Sequence, residues 1–401
     1  YDYALYAQFA GIIANTFFGD SQWRDLLTFA VFALGFIIRP LGALLFSAIG
    51  DNLGRKTALS LGILSMALPT AVIGLLPSYE HIGLLAPIIL SLMRLLQGLA
   101  LGGEFSVCIS YLVEHADEKN RGLIGSASFV SMCIGMLFGS LTAFFMRAFI
   151  PLDILEGWAW RIPFVLGLAI GLVGMYIRRN LTESPVYADA KARGQLTNSS
   201  MLETIKPYYH ELIVSMAIYI TVTAPFYTLT VYVENFLHKS LGYSAFEATA
   251  INTIGLLVMI VVMPIAANLS DKIGRKPMLI FSASLLAISI YPIFLNFGKI
   301  DFIMAIVSQM SFAFILACYM GPMPTILVEM FPTKARLTGV ALSYNISAAI
   351  FGGTAPMTAI LLQKLTGNTY IMGVYLSILA LVSLFVVLKY FQESYKKQLI
   401  D

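Results

Sequence analysis

Long apolar runs separated by short polar connections fill this chain. Each run is near ~20 residues, the length that an α-helix needs to cross the hydrocarbon core of a bilayer. Backbone groups in lipid must be satisfied within the segment, so we expect every run to be a helix. The pattern predicts twelve spans, numbered here in chain order: 1–18, 26–50, 57–77, 84–113, 121–149, 158–178, 210–236, 245–269, 277–297, 302–329, 336–363 and 369–391.

Two nearly identical polar stretches interrupt these runs. IGDNLGRKTAL follows span two, and LSDKIGRKPML follows span eight. A second repeated pattern lies at the ends of spans four and ten, where Glu114 precedes Arg121 by seven residues and Glu329 precedes Arg336 by seven. One such loop is as well explained as a positively charged turn. Two copies at equivalent spans predict two copies of one six-helix unit, a parallel repeat about an axis along the membrane normal.

The composition indicates that lipid surrounds most of the chain, and together with the motifs it narrows the class of protein. Charged residues make up only 12% of the 401, too few to cover a soluble surface. Cys108, Cys133 and Cys318 lie inside apolar runs without paired spacing, so we expect neither disulfides nor a zinc site. We find no phosphate-binding loop, no hydrolase motif and no intramembrane nucleophile–base pair. The sequence therefore predicts a protein that is not an enzyme and has no cofactor or nucleic-acid partner.

The placement of Lys and Arg predicts the orientation. If the first span starts in the cytoplasm, seventeen of the 25 basic residues fall on the inside and six on the outside. Trp23, Trp158 and Trp160 then fall at the outer interface, where indole rings are favoured. We expect both termini to be cytoplasmic and the N-terminus, which begins with Tyr, to have been trimmed. The expected organisation is a six-helix bundle over 1–178, a cytoplasmic linker over 179–209 and a second bundle with a short tail over 210–401.

These stretches resemble a known family. IGDNLGRKTAL resembles the loop signature of the major facilitator superfamily, and the Glu-x6-Arg pairs resemble the charge relay beside it. YDYALY, IIRPLGALLF, RLLQGLALGGEF, WRIPF, EMFPTKARLTG and SYNISAAIFGG narrow the resemblance to the metabolite:proton symporter branch, which includes proline/betaine and α-ketoglutarate permeases. The resemblance covers essentially the whole chain.

The resemblance implies an all-α membrane protein of twelve helices in two pseudo-symmetric bundles, placed in a prokaryotic-type inner membrane. It implies a monomeric carrier that couples proton entry to the uptake of a small carboxylate-bearing organic solute. Zwitterions of the proline or betaine kind are expected first. Dicarboxylates, a larger organic anion and proton-driven export are the alternatives. A non-transporting receptor would share the fold. However, a latch, a pair of polar loops that can hold the two halves together on the cytoplasmic side, is needed only where a gate opens and shuts.

The repeated loops predict that latch. Asp51 and Asp271 sit just past helix ends, where a carboxylate can accept hydrogen bonds from the free N–H groups of a neighbouring helix start. Arg55 and Arg275 can pair with that Asp or with the Glu that closes span four or ten. The glycine of each loop permits a tight turn. The predicted cytoplasmic gate consists of Asp51, Gly54, Arg55, Glu114, Arg121, Asp271, Gly274, Arg275, Glu329 and Arg336.

Four ionisable residues fall inside the predicted hydrocarbon zone, where charge is costly and usually functional. Arg94 is favoured as the cation that meets a substrate carboxylate, because a guanidinium offers bidentate recognition; its alternative partner is an acid, Asp2 or Glu104. Arg39 is equally well explained as a substrate contact or as the structural partner of an acid. Glu104 follows two glycines that let helices approach closely, and it is either a proton carrier or a packing carboxylate. Asp2 is the preferred proton carrier, because the resemblance implies a carboxylate in the first helix.

The second half of the chain offers neutral side chains to the solute-binding cavity that is expected between the two halves. Aromatic residues at such spacing more often pack than bind, but they suit the apolar or quaternary part of a solute, including cation–π contacts. We therefore expect the first half to handle charge and protons and the second half to grip the solute. The predicted contacts of the second half are Phe226, Tyr227, Tyr319, Tyr344 and Asn345.

Overall fold

The computed structural model describes residues 1–19, 23–53, 55–179, 205–299 and 301–395. These residues form helices joined by short connections, with no strand among them. Four parts of the predictions lie outside the description: Gly54 altogether, the side chains of Asp51 and Arg55, residues 180–204 of the predicted linker and residues 396–401 of the predicted tail.

Helices occupy all twelve predicted spans. The first half contains Asp2–Gln8 and Ala10–Phe18 in span one, Arg24–Ile37 and Arg39–Leu53 in span two, Arg55–Leu75 in span three, Leu85–Glu114 in span four, Arg121–Phe149 in span five and Ile162–Arg179 in span six. Short helices Tyr79–Ile82 and Leu152–Gly157 and a 3-10 turn Ala159–Arg161 lie in its connections.

The second half repeats this order. A 3-10 turn Lys206–Tyr208 leads into span seven, which consists of Tyr209–Tyr227, a π-helical turn Thr228–Tyr232, Val233–Asn235 and a second π-helical turn Phe236–Ser240. Spans eight and nine are Ala245–Ile273 and Arg275–Phe297, and span ten is Phe302–Met320 with Met323–Met330. Span eleven is Thr333–Ser347, a π-helical turn Ala348–Gly352 and Ala355–Thr366, and span twelve is Ile371–Lys389.

Within the described residues, ten of the twelve spans are long and apolar enough to cross a membrane. In spans one and three the described apolar helices are shorter than this. Span one is interrupted at Phe9, whose backbone leaves the helical region (φ −99°, ψ 15°). Span three contains a shorter apolar helix, Ser60–Leu75.

One sequence expectation is wrong in detail. Span eight continues four residues beyond its predicted end, so Asp271 lies inside its last turn and not past the helix end. Trp160 is fully buried within the protein, with the centre of its ring 5.9 Å from that of Phe17. Trp23 and Trp158 are exposed, as interface residues are expected to be.

Side-chain caps mark where some helices begin. The Ser244 hydroxyl accepts from the Glu247 backbone N–H at 3.2 Å, and the Glu247 carboxylate accepts from the Ser244 N–H at 2.9 Å. This reciprocal capping box satisfies two free N–H groups at the start of span eight. The Asp301 side chain accepts from Met304 N–H at 2.7 Å and starts span ten in the same way.

Glycines bring spans two and four into close contact. A Cβ atom placed on Gly98 would lie 2.1 Å from the Gly35 carbonyl oxygen, and one on Gly102 would lie 2.1 Å from the Arg39 carbonyl oxygen. Backbones can approach this closely only where no side chain intervenes. The contact therefore fixes the depth of Arg39 relative to span four, which carries Arg94.

The two halves meet along several helix pairs. Span five packs against span eight, span eleven packs against spans two and four, and span one contacts span seven. We call the end of the protein that carries residues 114–121, 271–275 and 329–336 the loop end. The opposite end, which carries the connections at 76–84, 150–158 and 241–244, is the far end. The candidate site lies between these ends, at the contact of the halves.

Candidate functional site

Asp2 and Arg94 form a buried ion pair inside the first half. Arg94 Nη1 donates to Asp2 Oδ2 and to Gln97 Oε1, both at 2.8 Å. Gln97 in turn donates to the Thr70 hydroxyl at 2.8 Å, which ties Arg94 to span three. Arg94 is fully buried and Asp2 is 8% exposed. The structure thus gives Arg94 a carboxylate partner of its own, the alternative that the sequence left open for this residue.

Arg39 lies close by but has a different environment. Its Nη1 donates to the Tyr344 hydroxyl at 3.3 Å, and its guanidinium carbon lies 3.8 Å from the centre of the Phe36 ring. The guanidinium carbons of Arg39 and Arg94 are each 5.2 Å from the centre of the Tyr3 ring. Among the described residues, no carboxylate lies within 4 Å of Arg39 and its Nε has no hydrogen-bond partner. Arg39 is therefore a buried cation held by aromatic groups, without a described anion.

Side chains of the second half close around this cation. The Tyr227 ring stands edge-on to Phe36, with centres 4.8 Å apart. The Tyr344 ring stacks on Phe105 of span four at 4.4 Å. Asn345 donates from Nδ2 to the Gly102 carbonyl at 2.7 Å. We call Tyr3, Phe36, Arg39, Tyr227 and Tyr344 the central cluster.

Other predicted site residues lie outside the central cluster. Tyr319 is fully buried and donates to the Ile218 carbonyl at 2.9 Å, within its own half. Phe226 packs against Tyr227 at 5.3 Å between ring centres. Glu104 is partly buried and faces span three, with Oε2 4.0 Å from where a Cβ on Gly62 would lie. Since Glu104 is ten residues, about 15 Å, along the helix from Arg94, these two do not form the pair considered from the sequence.

The loop end joins the halves through Asp271. Its two carboxylate oxygens accept from Gly122 N–H at 2.8 Å and Leu123 N–H at 2.9 Å, the first free N–H groups of span five. Arg275 Nη1 donates to Asp271 at 2.7 Å, and its Nη2 lies 3.3 Å from Glu329. Gly274, with φ at 105°, makes the turn between Asp271 and Arg275. The geometry expected for a carboxylate at a neighbouring helix start is therefore present in the second loop.

Two further contacts cross between the halves at the loop end. Arg336 Nη1 donates to Glu114 at 2.8 Å, so the glutamate that closes span four pairs with an arginine of the other half. The Thr325 hydroxyl donates to the Arg121 carbonyl at 2.9 Å. The Arg121 side chain lies 3.8 Å from Glu118. We call Gly122, Leu123, Asp271, Glu114 and Arg336 the loop-end latch.

The far end carries a second polar contact between the halves. Arg147 of span five lies 3.3 Å from Glu234 of span seven, and it also donates to Gln8 of span one and Thr249 of span eight. Asn252 of span eight donates to Glu234 at 3.1 Å. We call Gln8, Arg147, Glu234, Thr249 and Asn252 the far-end cluster.

Sequence reasoning missed the far-end cluster. Arg147 was only one of the six basic residues counted on the outside, and Glu234 was not among the candidate site residues. The available signal was the set of polar side chains within apolar spans, namely Gln8, Thr249 and Asn252. Each is explicable alone as a packing residue, and the distances between spans that bring them together are absent from a single sequence.

Comparison with known proteins agrees with this architecture. Residues 1–216 match the family model for sugar (and other) transporters, and residues 212–400 match the model for the major facilitator superfamily. The chain belongs to the major facilitator superfamily. It is 32% identical over 391 residues to a putative proline/betaine transporter of Staphylococcus aureus, covering 96% of this chain and 84% of that protein. It is 30% identical over 397 residues to the proline/betaine transporter of Escherichia coli, covering 96% of this chain and 79% of that protein.

Solved structures of the same superfamily share the fold. The xylose transporter XylE from E. coli, in a partially occluded inward-open conformation, superposes with a TM-score of 0.77 at 17% identity, over 99% of this chain and 95% of that one. A proton:xylose symporter with a bound bromo-sugar gives a TM-score of 0.82 at 16% identity, over 100% and 94%. The chain is thus a multi-pass membrane transporter with twelve helices in two six-helix halves.

In this facilitator, polar contacts tie the halves together at both ends of the central cluster. The loop-end latch and the far-end cluster each include an ion pair between the halves. Between them lie one ion pair within the first half and one cation surrounded by aromatic rings of both halves. A site of this kind offers a titratable carboxylate, a guanidinium for an anion and π-faces for an apolar or cationic group.

Proposed function

We propose that this chain is a proton-coupled symporter that imports a small carboxylate-bearing zwitterion of the proline or betaine kind. The observation that carries the proposal is the pair of neighbouring buried guanidinium groups, of which only Arg94 has a described carboxylate partner, Asp2. The naming of several relatives as proline/betaine transporters supports this substrate class.

In this proposal Asp2 carries the coupled proton. Protonation of Asp2 removes the anion that faces Arg94 and leaves a buried cation without its partner, which is costly. The carboxylate of a solute bound at the neighbouring Arg39 offsets part of that cost, since both guanidinium carbons lie 5.2 Å from the centre of the Tyr3 ring, so the protonated carrier binds the solute more tightly. Since linkage is reciprocal, the bound solute also raises the affinity for the proton. The carrier loaded with both proton and solute is therefore favoured over the carrier loaded with either alone, which symport requires.

Arg39 binds the carboxylate of the solute in this proposal. Its Nε–H, which lies in the plane of the guanidinium and has no hydrogen-bond partner, offers an oriented donor to a carboxylate, and the group is buried. The rings of Tyr227 and Phe36, edge to face at 4.8 Å, suit the apolar or quaternary ammonium end. This assignment moves the substrate carboxylate from Arg94, which the sequence favoured, to Arg39.

The loop end faces the cytoplasm in this proposal, with both termini on that side of a bacterial inner membrane. The excess of basic residues on this side supports the orientation. Residues 179–209 then form the cytoplasmic linker between the halves, and the loop-end latch is the cytoplasmic gate, with the carrier acting as a monomer.

Binding by purified protein tests the role of Arg39. We expect Arg39→Lys to weaken binding of the zwitterion about ten- to a hundredfold, because the planar fork of a charge-assisted contact is lost. The methyl ester of the same solute should bind the wild type poorly and lose little more in the variant. Arg161→Lys is the matched control, since Arg161 donates to the Gly74 and Leu76 carbonyls of its own half. Equal losses for acid and ester would show that Arg39 does not meet the carboxylate.

Transport by reconstituted vesicles tests the role of Asp2. Counterflow with a panel of solutes identifies the substrate, and an imposed pH gradient then measures coupling. Asp2→Asn should abolish gradient-driven accumulation and retain solute exchange, which needs no net proton movement. Asp153→Asn, at an exposed aspartate, is the control. Exchange lost together with accumulation would assign Asp2 a structural or binding role.

A dicarboxylate is the second candidate, and the shared Tyr3 ring favours it. Because both guanidinium groups lie 5.2 Å from this ring, a solute with two carboxylates can meet both once Asp2 is protonated. Binding of a dicarboxylate should then fall on substitution of either arginine by lysine. Binding of a zwitterion should fall strongly for Arg39→Lys only.

A further inference from the structure

The far-end cluster is built from both halves and is largely withdrawn from water. Arg147 is 21% exposed and Glu234 is 14% exposed, and Thr249 and Asn252 are buried. Arg147 Nη2 donates to the Gln8 backbone carbonyl at 2.6 Å, and Nη1 donates to the Thr249 hydroxyl at 2.6 Å. Gln8 Nε2 donates to the Glu234 carboxylate, which completes a closed ring of contacts across the halves.

These contacts bind opposite charges of different halves. Span one and span five belong to the first half, and spans seven and eight belong to the second. The Glu234 carboxylate receives hydrogen bonds from Arg147, Gln8, Thr249 and Asn252, so it is held by two residues of each half. A rotation that separates the halves at the far end must break the contacts from Arg147 and Gln8. It leaves those from Thr249 and Asn252 intact.

The helix that carries Glu234 departs from α-helical geometry on both sides. Residues Val233–Asn235 form one short α-helical segment between the π-helical turns Thr228–Tyr232 and Phe236–Ser240. Pro225 lies inside the preceding helix. π-Helical turns interrupt the regular hydrogen-bond ladder and are frequent at functional sites. Glu234 is therefore carried on a segment of span seven whose ladder is already interrupted.

We propose that the far-end cluster is a second latch, in which Arg147 and Glu234 hold the far end closed and release each other when that end opens. This proposal rests on the alternation between two open states that the proposed function requires. It assigns Gln8, Arg147 and Glu234 to the control of access, separate from the proton and solute contacts of the central cluster. It also predicts opposite effects for the two latches: weakening one end favours opening at that end and closure at the other.

Cysteine labelling in detergent tests this proposal without knowledge of the solute. In a background with Cys108, Cys133 and Cys318 replaced by serine, Ser140→Cys reports on the far end, because the Ser140 hydroxyl meets Thr253 of the other half at 2.9 Å. Ala341→Cys reports on the loop end, one helical turn from Asn345, which contacts the first half. Both positions are 1% exposed. The measurement is the alkylation rate of each reporter.

Loss of one charge should expose the far-end reporter only. We expect Glu234→Gln and Arg147→Gln to speed alkylation at Ser140→Cys about tenfold or more and to leave Ala341→Cys unchanged or slower. Glu247→Gln and Arg161→Gln are matched controls at the same end, since the partners of Glu247 and Arg161 lie within their own halves. The charge exchange Arg147→Glu with Glu234→Arg should recover part of the slow rate.

An unchanged rate at Ser140→Cys in both single variants, with size-exclusion profile and thermal stability intact, would overturn the proposal. Acceleration at both reporters together would also overturn it, because that outcome indicates general loosening. Thr249→Val, which removes a hydroxyl within the cluster and no charge, gives a milder second variant if the others fail to fold. The labelling needs neither protons nor solute, so its failure is distinct from a failure of proton-coupled transport.

Discussion

Replacement of Asp271 by asparagine should open the loop end. Asparagine has nearly the same shape, so the change removes charge and one acceptor with little effect on packing. In the native protein, Asp271 accepts from Gly122 N–H at 2.8 Å and Leu123 N–H at 2.9 Å across the halves. It also accepts from Arg275 within its own half at 2.7 Å. In the variant, the side-chain amide oxygen can still accept from one of the two backbone N–H groups of span five. The amide NH₂ is itself a donor, so it cannot accept from the other.

The magnitude follows from these contacts. Two charge-assisted hydrogen bonds between the halves are worth roughly 1.5–3 kcal/mol each, and one neutral hydrogen bond of about 1 kcal/mol remains in the variant. The net loss for the closed loop end is therefore about 2–5 kcal/mol, with little screening because Asp271 is 4% exposed. At about 1.4 kcal/mol for each factor of ten, the closed state loses about 30- to 4,000-fold in relative population.

The assay is alkylation of Ala341→Cys in the cysteine-free background, with transport measured in parallel. We expect faster labelling at this loop-end reporter, slower labelling at Ser140→Cys and slower net transport. Solute affinity should stay within a few-fold, since Asp271 makes no contact with the central cluster. Lys276→Gln is the control, because Lys276 follows Arg275 but donates to the Leu388 and Phe391 carbonyls of its own half. Slow transport with unchanged labelling at Ala341→Cys would refute the latch.

Three further predictions concern backbone contacts. Gly122→Ala should reproduce the labelling pattern of the Asp271 variant, since its Cβ would lie 2.7 Å from the Asp271 carboxylate; normal labelling would show that the contact can yield. Gly98→Val should lower folded yield and thermal stability markedly, measured by fluorescent size exclusion, because a Cβ there lies 2.1 Å from the Gly35 carbonyl; a stable variant would contradict the close packing of spans two and four. Ser244→Ala should lower stability by about 0.5–2 kcal/mol and leave the labelling of both reporters unchanged, because it removes only a helix cap.

Local rules predicted most of the fold. Helices occupy the twelve apolar runs because backbone groups in lipid can be satisfied only within a segment or against protein. The repeated Asp and Gly-Arg-Lys loops predicted two halves, and the carboxylate of Asp271 accepts from a helix start as expected. The ends of helices were predicted less accurately than their presence. Span eight, for example, continues through Asp271 until Gly274 turns the chain with positive φ.

The candidate site was only partly predictable, because it depends on contacts between distant spans. The sequence identified Asp2, Arg39 and Arg94 as charges inside the membrane but left their partners open. The approach of span one to span four decides that Arg94 meets Asp2, and the glycine contact between spans two and four sets Arg39 beside the aromatic rings. Neither distance is encoded in local hydrophobic pattern.

In the proposed mechanism, the strengths of the two latches must be nearly balanced. At each end the polar contacts between the halves are few, so breaking them costs a few kcal/mol. A carrier with one much stronger latch would remain in one state, since a solute can shift an equilibrium only by its differential affinity for the two states. The central ion pair is connected to the far-end cluster, because Asp2 and Gln8 lie at opposite ends of one helix of span one. That helix joins the proposed proton carrier to the far-end cluster, so a change at Asp2 that shifts span one is felt directly at the contacts of Arg147 and Glu234.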